Sequence, residues 1–399
     1  MSTAQPPRAT LLAGYVAFVL IGWNAVLLPS LIRSLEHDFR QNDAAFGLLY
    51  FVSALVYAAG SFGGGFLTER FGRRWVLIGA CFFLALGLAG EGLAPSWTIL
   101  LLAAIPVNWG AGSIDGGVNG LFLDLFREAR GGALNFLHLF FSVGALLAPV
   151  TVGQLLAAGL DWRPQVLAIG AGALLLGMYL VPQTMPAGRH AGGSTEKGRM
   201  GTSERSLWPF FGLAAGICLY VAAEGGVSSW LVKFLSSSPI STATLVLSAY
   251  WAGIALGRLL SNWVAEWIDY AAYTVGCVIL SSVALVAAIL VPSLPLSAAL
   301  FGLTGLFYGP IYPMIMAIGG AIYPHRLARL SGSLAASAVL GALAYPPIIG
   351  LMSASLGIRA GLLGAGALGV PMAIAVGLAA GMRMRQGSAE QRVSALPES

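Results

Sequence analysis

The sequence predicts an all-α membrane protein with twelve transmembrane helices in two pseudo-symmetric six-helix bundles. Three observations predict it. Only 9% of the 399 residues are charged while 57% are apolar; a soluble chain is about 25% charged and needs those side chains to cover its core. The apolar residues fall in twelve continuous runs. Each run is long enough, at about 20 residues, to cross the ~30 Å hydrocarbon core of a bilayer, whereas a transmembrane β-barrel alternates over segments of about ten. Glycines and a proline recur at matching positions in the two halves, as internal duplication requires.

The runs cover 10–33, 45–68, 74–94, 96–126, 131–159 and 162–182, then 206–235, 241–267, 270–292, 294–323, 327–356 and 358–382. The first continues past Ile32 without a small-residue cleavage site, so it is a span and not a removable signal peptide. Connections are short, as at Ala94-Pro95-Ser96, except from Ala187 to Arg205. The expected organisation is an N-terminal bundle (1–182), a linker (183–205), a C-terminal bundle (206–382) and a tail (383–399).

With the N-terminus inside, fifteen of the 21 Lys and Arg residues fall on the cytoplasmic side and five outside, with Arg258 within a span. That obeys the positive-inside rule, so both termini and the linker are expected in the cytoplasm. The net charge of +5 thus reports topology and not a nucleic-acid partner. Short length, a minimal linker and the lack of an appended domain point to a bacterial inner membrane; a monomer is expected, with the lipid bilayer and a small-molecule substrate as its partners. Cys81, Cys218 and Cys277 lie inside apolar runs, so no disulfide framework or metal spacing is implied. No nucleophile–base set and no Walker-type phosphate loop occurs, so neither an enzyme nor an ATP-driven pump is expected, and no cofactor.

A shift of 193 residues lays Tyr57, Ala59, Gly60, Gly64 and Leu67 on Tyr250, Ala252, Gly253, Gly257 and Leu260. It also places Gly112 on Gly305, Gly116 on Gly309, Asp115 on Tyr308 and Asn119 on Tyr312. A shift of 197 lays Gly144-Ala145-Leu146 and Pro149 on Gly341-Ala342-Leu343 and Pro346. Six helices per half keep the repeats parallel, with a central cavity between them.

Between spans 2 and 3 stands Gly65-Phe66-Leu67-Thr68-Glu69-Arg70-Phe71-Gly72-Arg73-Arg74. It resembles the loop signature of the major facilitator superfamily, Gly-x-Leu-x-Asp-Arg-x-Gly-Arg-Arg, with Glu69 for the usual Asp. Glycine there allows helix packing and a tight turn, the acid can cap a neighbouring helix, and the arginines can pair with Asp124 or Glu128. Arg127-Glu128-Ala129-Arg130-Gly131-Gly132-Ala133 is similar to the superfamily's loop after span 4. The resemblance implies the major facilitator fold, with Gly65, Glu69, Arg70, Gly72, Arg73, Arg74, Asp124, Arg127 and Arg130 in its gating loops.

Ionisable groups at bilayer depth are costly and mark function by default. Span 4 carries Asn108, Asp115 and Asn119 at intervals of seven and four, on one helical face. Asp115 there is a candidate for proton uptake or for a structural hydrogen bond. Span 7 repeats the pattern with Tyr220, Glu224 and Ser228, where Glu224 is a coupling acid or the partner of Lys233 or Arg258. Arg258 is a gating or structural cation that snorkels or pairs with Glu266. Span 5 aligns Asn135, His138 and Ser142, with His138 a proton relay or a satisfied hydrogen-bonding group. Tyr308 and Tyr312 suit a ligand with apolar faces and hydroxyls. Trp23, Trp109, Trp230 and Trp251 are stacking surfaces or interfacial anchors. Span 1 offers only Asn24 and no embedded acid, and Glu91 is placed at the outer interface.

Asp115-Gly116-Gly117-Val118-Asn119, Leu134 to Leu146, Tyr220 to Leu231 and Tyr250 to Leu259 are together similar to the fucose–galactose–proton symporter family. That family includes sodium- or proton-linked glucose carriers. The resemblance implies import of a sugar coupled to a proton or sodium ion. The expected site then joins Asn24, Asn108, Asp115, Asn119, Tyr220, Glu224, Trp251, Tyr308 and Tyr312, with Asp115, Glu224 and His138 handling the proton. The rival reading is a proton-coupled exporter of drugs or metabolites. Against it, Pro106 occupies the position before Gly110-Ala111-Gly112 where such exporters often carry Arg. A substrate-sensing receptor is a third class, for which no signalling domain appears.

Overall fold

The computed structural model describes residues 8–126, 130–185, 207–264, 267–323 and 327–394. Among these residues the N-terminal half comprises α1 (Arg8–Phe39), α2 (Asp43–Phe71), α3 (Arg73–Gly92), α4 (Trp97–Leu125), α5 (Arg130–Ala157) and α6 (Trp162–Leu180). The C-terminal half comprises α7 (Trp208–Phe234), α8 (Ile240–Val264), α9 (Tyr270–Leu290), α10 (Leu294–Tyr308), α11 (Ile311–Ile322), α12 (Leu327–Leu356), α13 (Ile358–Ala367) and α14 (Gly369–Ser394). Twelve stretches are long and apolar enough to cross a membrane, with α10 and α11 sharing one and α13 and α14 another. The chain is a multi-pass membrane protein.

Polar residues set the helix starts. Asn42 accepts the Ala45 N–H at 3.0 Å to open α2, and Asp161 accepts that of Arg163 at 2.7 Å to open α6. Two expected spans gain detail. The first helix runs on to Phe39 because its polar last turn is satisfied: Asp38 accepts from the Trp162 indole at 2.8 Å and from Arg163 at 3.2 Å. The tenth span breaks between α10 and α11 at Gly309-Pro310, where proline lacks the N–H that a continuous helix needs. Glu91, next to the last residue of α3, is 2% exposed, so its side chain is covered by neighbouring helices.

The duplicated glycines serve the same purpose in each half. A methyl group on Gly112 would meet the Tyr57 carbonyl oxygen, and one on Gly305 would meet that of Tyr250. Gly60 packs on the Trp109 carbonyl and Gly253 on that of Gly302; Gly116 packs on the Ser61 carbonyl and Gly309 on that of Ile254. Each contact in α2–α4 therefore has its image, 193 residues on, in α8–α10. Close backbone approach through small residues is how apolar helices associate without a hydrophobic driving force. Gly144 against Val19 and Gly341 against Cys218 pair α1 with α5 and α7 with α12 in the same way. Gly65, expected to aid packing, has open space around it; Gly60 and Gly64 hold that face of α2 instead.

Antiparallel succession puts the α2–α3 turn at one side of the bundle (the motif side) and the α1–α2 turn at the other (the seal side). At the seal side the halves close on each other. Lys233 of α7 pairs with Glu36 of α1 at 2.6 Å and with Asp43 of α2 at 3.1 Å. Ser353 of α12 donates to Asp43, Arg33 donates to the Ser238 carbonyl at 2.9 Å, and Tyr50 to that of Ser229 at 3.0 Å. Deeper, Ser248 of α8 donates to the Leu146 carbonyl of α5 at 2.9 Å.

Candidate functional site

The centre of the fold is assembled from both halves. On α4, Asp115 and Asn119 are one turn apart and half-buried, and Asn119 Nδ2 donates to Asp115 Oδ1 at 2.9 Å. The close approach of α2 at Gly112 brings Tyr57 near the same carboxylate. Asn119 Oδ1 is buried with no hydrogen-bond partner among the described residues, an acceptor left for a donor from elsewhere.

In the C-terminal half, the Tyr220 hydroxyl donates to Glu224 Oε1 at 2.7 Å, and Arg258 Nη2 lies 3.7 Å from that oxygen. Arg258 Nη1 also reaches Ser142 Oγ of α5 at 3.4 Å, so this guanidinium bridges the halves. Glu224 thus meets Arg258, while Lys233 is engaged at the seal. Tyr312, just past the break in span 10, lies within electrostatic range of Asp115, Glu224 and Arg258. His138 is one turn from Ser142, edge-on to Phe18 at 5.2 Å, and feels the charge of Arg258. Electrostatically the centre holds one acid–guanidinium pair plus a second acid, Asp115, bonded only by neutral groups. Such a set can accept hydrogen bonds from hydroxyls and can change its charge by one proton.

Other expected site residues flank this group or are engaged elsewhere. Asn108 donates to its own helix at the Ala104 carbonyl, 2.8 Å away. Tyr308 is 1% exposed in an aromatic cluster with Tyr220 and Tyr250, at ring distances of 5.8 and 6.3 Å. Trp251 lends its indole N–H to Ser228 at 3.0 Å, and its ring lies 6.0 Å from Phe141 across the interface. Trp230 is fully buried and donates to the Pro346 carbonyl at 2.9 Å, which leaves no face for stacking in this conformation. Asn24 lies half-buried on α1. Sequence reasoning missed Tyr57 as a partner of Asp115, although its repeat position, matching Tyr250, was the available signal.

At the motif side, Gly72 takes φ 81° to turn α2 into α3, a conformation that favours glycine. Arg73 Nη2 reaches Asp124 Oδ2 at 2.7 Å, tying α3 to α4 as expected. Arg70 and Arg74 lie over the neighbouring rings of Phe71 and Trp75. Glu69 sits in α2 and Arg130 opens α5, but their side chains, with Arg127, Glu128, Asn135 and Glu266, lie outside the described residues.

A twelve-span bundle of two matched halves, with ionisable groups from each meeting at its centre, defines a membrane transporter. The chain belongs to the Major Facilitator Superfamily, whose sequence profile matches residues 12–268. It is therefore a transporter and not an enzyme. It is similar to the glucose/mannose transporter GlcP of Bacillus subtilis (strain 168), with 21% identity over 86% of this chain and 88% of that protein. It is also similar to the sodium-dependent glucose transporter 1A of Mus musculus, with 25% identity over 34% of this chain; the match spans about a third, 32%, of that relative. Among solved structures, a bacterial homolog to the human lysosomal transporter Spinster, in an inward-facing and unoccupied conformation, superposes with a TM-score of 0.77. That match covers 94% of this chain and 98% of that chain at 19% identity, a likeness of fold.

Proposed function

We propose that the protein is a cation-coupled symporter that imports a sugar or similar small polar solute across the bacterial inner membrane. The observation that supports this reading is that Tyr312 feels both Asp115 of one half and the Glu224–Arg258 pair of the other, which lies 3.7 Å apart. The two bundles, 1–182 and 206–382, rock about that centre, with 183–205 as the linker. The sequence count of fifteen basic residues in the loops expected inside against five in those expected outside supports a cytoplasmic motif side. The captured state is then closed to the outside, like the inward-facing Spinster homolog. Two glucose transporters among the relatives support a hexose-like substrate, whose hydroxyls suit Asn119 Oδ1, Asp115 and Tyr312. Protonation of Asp115 removes a buried charge and favours the loaded state; release inside restores it. Coupling arises because each ligand prefers one of two states.

The test is uptake of radiolabelled hexoses into proteoliposomes under imposed proton or sodium gradients. Hexose accumulation driven by either gradient is the expected result, and the gradient that drives it names the ion. Asp115→Asn should abolish accumulation while leaving exchange; full accumulation by that variant removes Asp115 from the mechanism. If hexoses neither move nor raise thermal stability, while lipophilic drugs leave the vesicles against a proton gradient, the exporter reading replaces this one.

A further inference from the structure

We propose that Glu36 and Asp43 share one exchangeable proton, and that this proton locks the outer seal. The inference rests on the alternating-access reading above but concerns a different place, far along α1 and α2 from Asp115. Glu36 lies in the last turns of α1 and Asp43 opens α2, so the short turn between these helices sets the two acids side by side. Both carboxyls lie against one ammonium, Lys233 Nζ, at 2.6 Å from Glu36 and 3.1 Å from Asp43, which holds the two acids together. Lys233 contacts both, and the Ser353 hydroxyl donates to Asp43.

The charge count drives the argument. Two carboxylates face one ammonium, so with both acids ionised the cluster keeps one uncompensated negative charge. Their side chains are only 14% and 15% exposed. Glu36 Oε1 is buried with no hydrogen-bond partner among the described residues, so the single ammonium of Lys233 is left to balance both acids. One proton between the acids turns a carboxylate–carboxylate repulsion into an O–H···O hydrogen bond and leaves the cluster neutral.

The surrounding groups do not supply the missing cation. Tyr50 gives its hydroxyl to the Ser229 carbonyl and carries no charge. Arg33, one turn before Glu36, is directed at the Ser238 carbonyl. Asp38 is taken by Trp162 and Arg163, and His37, 89% exposed, contacts Asp38.

The two acids come from one half and Lys233 with Ser353 from the other, so the cluster exists only while the seal is closed. Opening withdraws Lys233, lets water reach both carboxyls and frees the proton to the outside; an acidic exterior returns it and favours closure. Because closing takes up one proton, the closed-to-open ratio falls by at most about tenfold per pH unit as pH rises.

The test uses spin labels on Ala158→Cys, in the turn after α5, and Ser293→Cys, in the turn before α10. Both positions are exposed and at the seal side, one in each half. Cys81, Cys218 and Cys277 are replaced by Ala, and distances are recorded in lipid nanodiscs from pH 5 to 9 by double electron–electron resonance. The short distance should dominate at low pH, with the long one growing as pH rises. Glu36→Gln, whose amide stands in for the protonated acid, should hold the short distance at every pH. A pH-independent wild type, or a wild-type midpoint retained by both Glu36→Gln and Asp43→Asn, overturns the shared proton. Lys233→Glu, which places three carboxylates together, should show the long distance throughout, and Lys233→Ala serves if that variant does not fold. If these opened variants keep the short distance, the rocking of the halves fails and the inference goes with it. If they open while the wild type ignores pH, only the shared proton fails.

Discussion

The two halves share a scaffold and differ in chemistry. In α2–α4 and α8–α10, backbone meets backbone at glycines that correspond one to one, Gly60 with Gly253, Gly112 with Gly305 and Gly116 with Gly309. Yet the positions of Asp115 and Asn119 on α4 are taken by Tyr308 and Tyr312 in the second half, where the acid is Glu224 on α7. Interhelical approach tolerates little change, since a side chain at these glycines would enter a neighbouring backbone. The faces lining the centre carry no such restraint, so their residues are free to diverge. The comparison teaches that the scaffold is specified twice, and the site once from parts of each copy.

The largest effect should come from breaking that scaffold. Gly112→Ala and Gly305→Ala each place a methyl against a carbonyl oxygen, of Tyr57 and Tyr250. Each should cost about 1–3 kcal/mol and by similar amounts. Gly65→Ala, in open space, should stay within about 0.5 kcal/mol. Thermal unfolding in one detergent, followed by size-exclusion fluorescence, ranks the three. Equal losses at Gly112 and Gly305 would confirm that the copies are mechanically equivalent; a large loss at Gly65 would break the comparison.

How much of this could be read in the sequence follows the same division. The twelve spans and the glycine register were legible because both depend on local composition and spacing. The end of α1 was not, since hydropathy falls at Arg33 while the helix continues to Phe39 on the strength of Trp162 and Arg163, 124 and 125 residues away from Asp38. The burial of Glu91 was not legible either: its place near a span end says nothing of the helices that cover it. Asp115 and Glu224 were legible as acids inside apolar runs. The Glu36–Asp43–Lys233 cluster was not, because each member lies at a span end where charge is ordinary, and only the closed interface brings them together.

A smaller effect should separate the two acids of the centre. Tyr220→Phe removes the hydroxyl that donates to Glu224 at 2.7 Å; Arg258 then remains its nearby cation. Tyr57→Phe removes a hydroxyl close to Asp115, an acid with no ion-pair partner among the described residues. Each should lower stability by about 1 kcal/mol, the scale of interhelical hydrogen bonds in membranes. The functional consequence differs: Tyr57→Phe should shift the pH profile of uptake, while Tyr220→Phe leaves that profile in place. Uptake measured across pH for both variants sharpens the division between a proton-handling half and a charge-paired half. Identical profiles would mean that both acids titrate together.

The smallest effect concerns the turn that one half possesses and the other lacks. The register that lays Tyr57 on Tyr250 sets Arg73 against Glu266, so the Arg-rich turn has no second copy. Its ion pair is lopsided: Arg73 is 6% exposed, whereas Asp124 is 36% exposed. Removing the arginine leaves an acid that water can reach, so Arg73→Ala should cost less than about 1 kcal/mol through this pair. Removing the acid's charge leaves a guanidinium whose Nε and Nη1 have no partner among the described residues, so Asp124→Ala should cost more than Arg73→Ala. Thermal unfolding of the two variants and of the double variant measures the coupling. A greater loss for Arg73→Ala would mean that the arginine stabilises the turn by packing its stem, and that the ion pair with Asp124 is secondary.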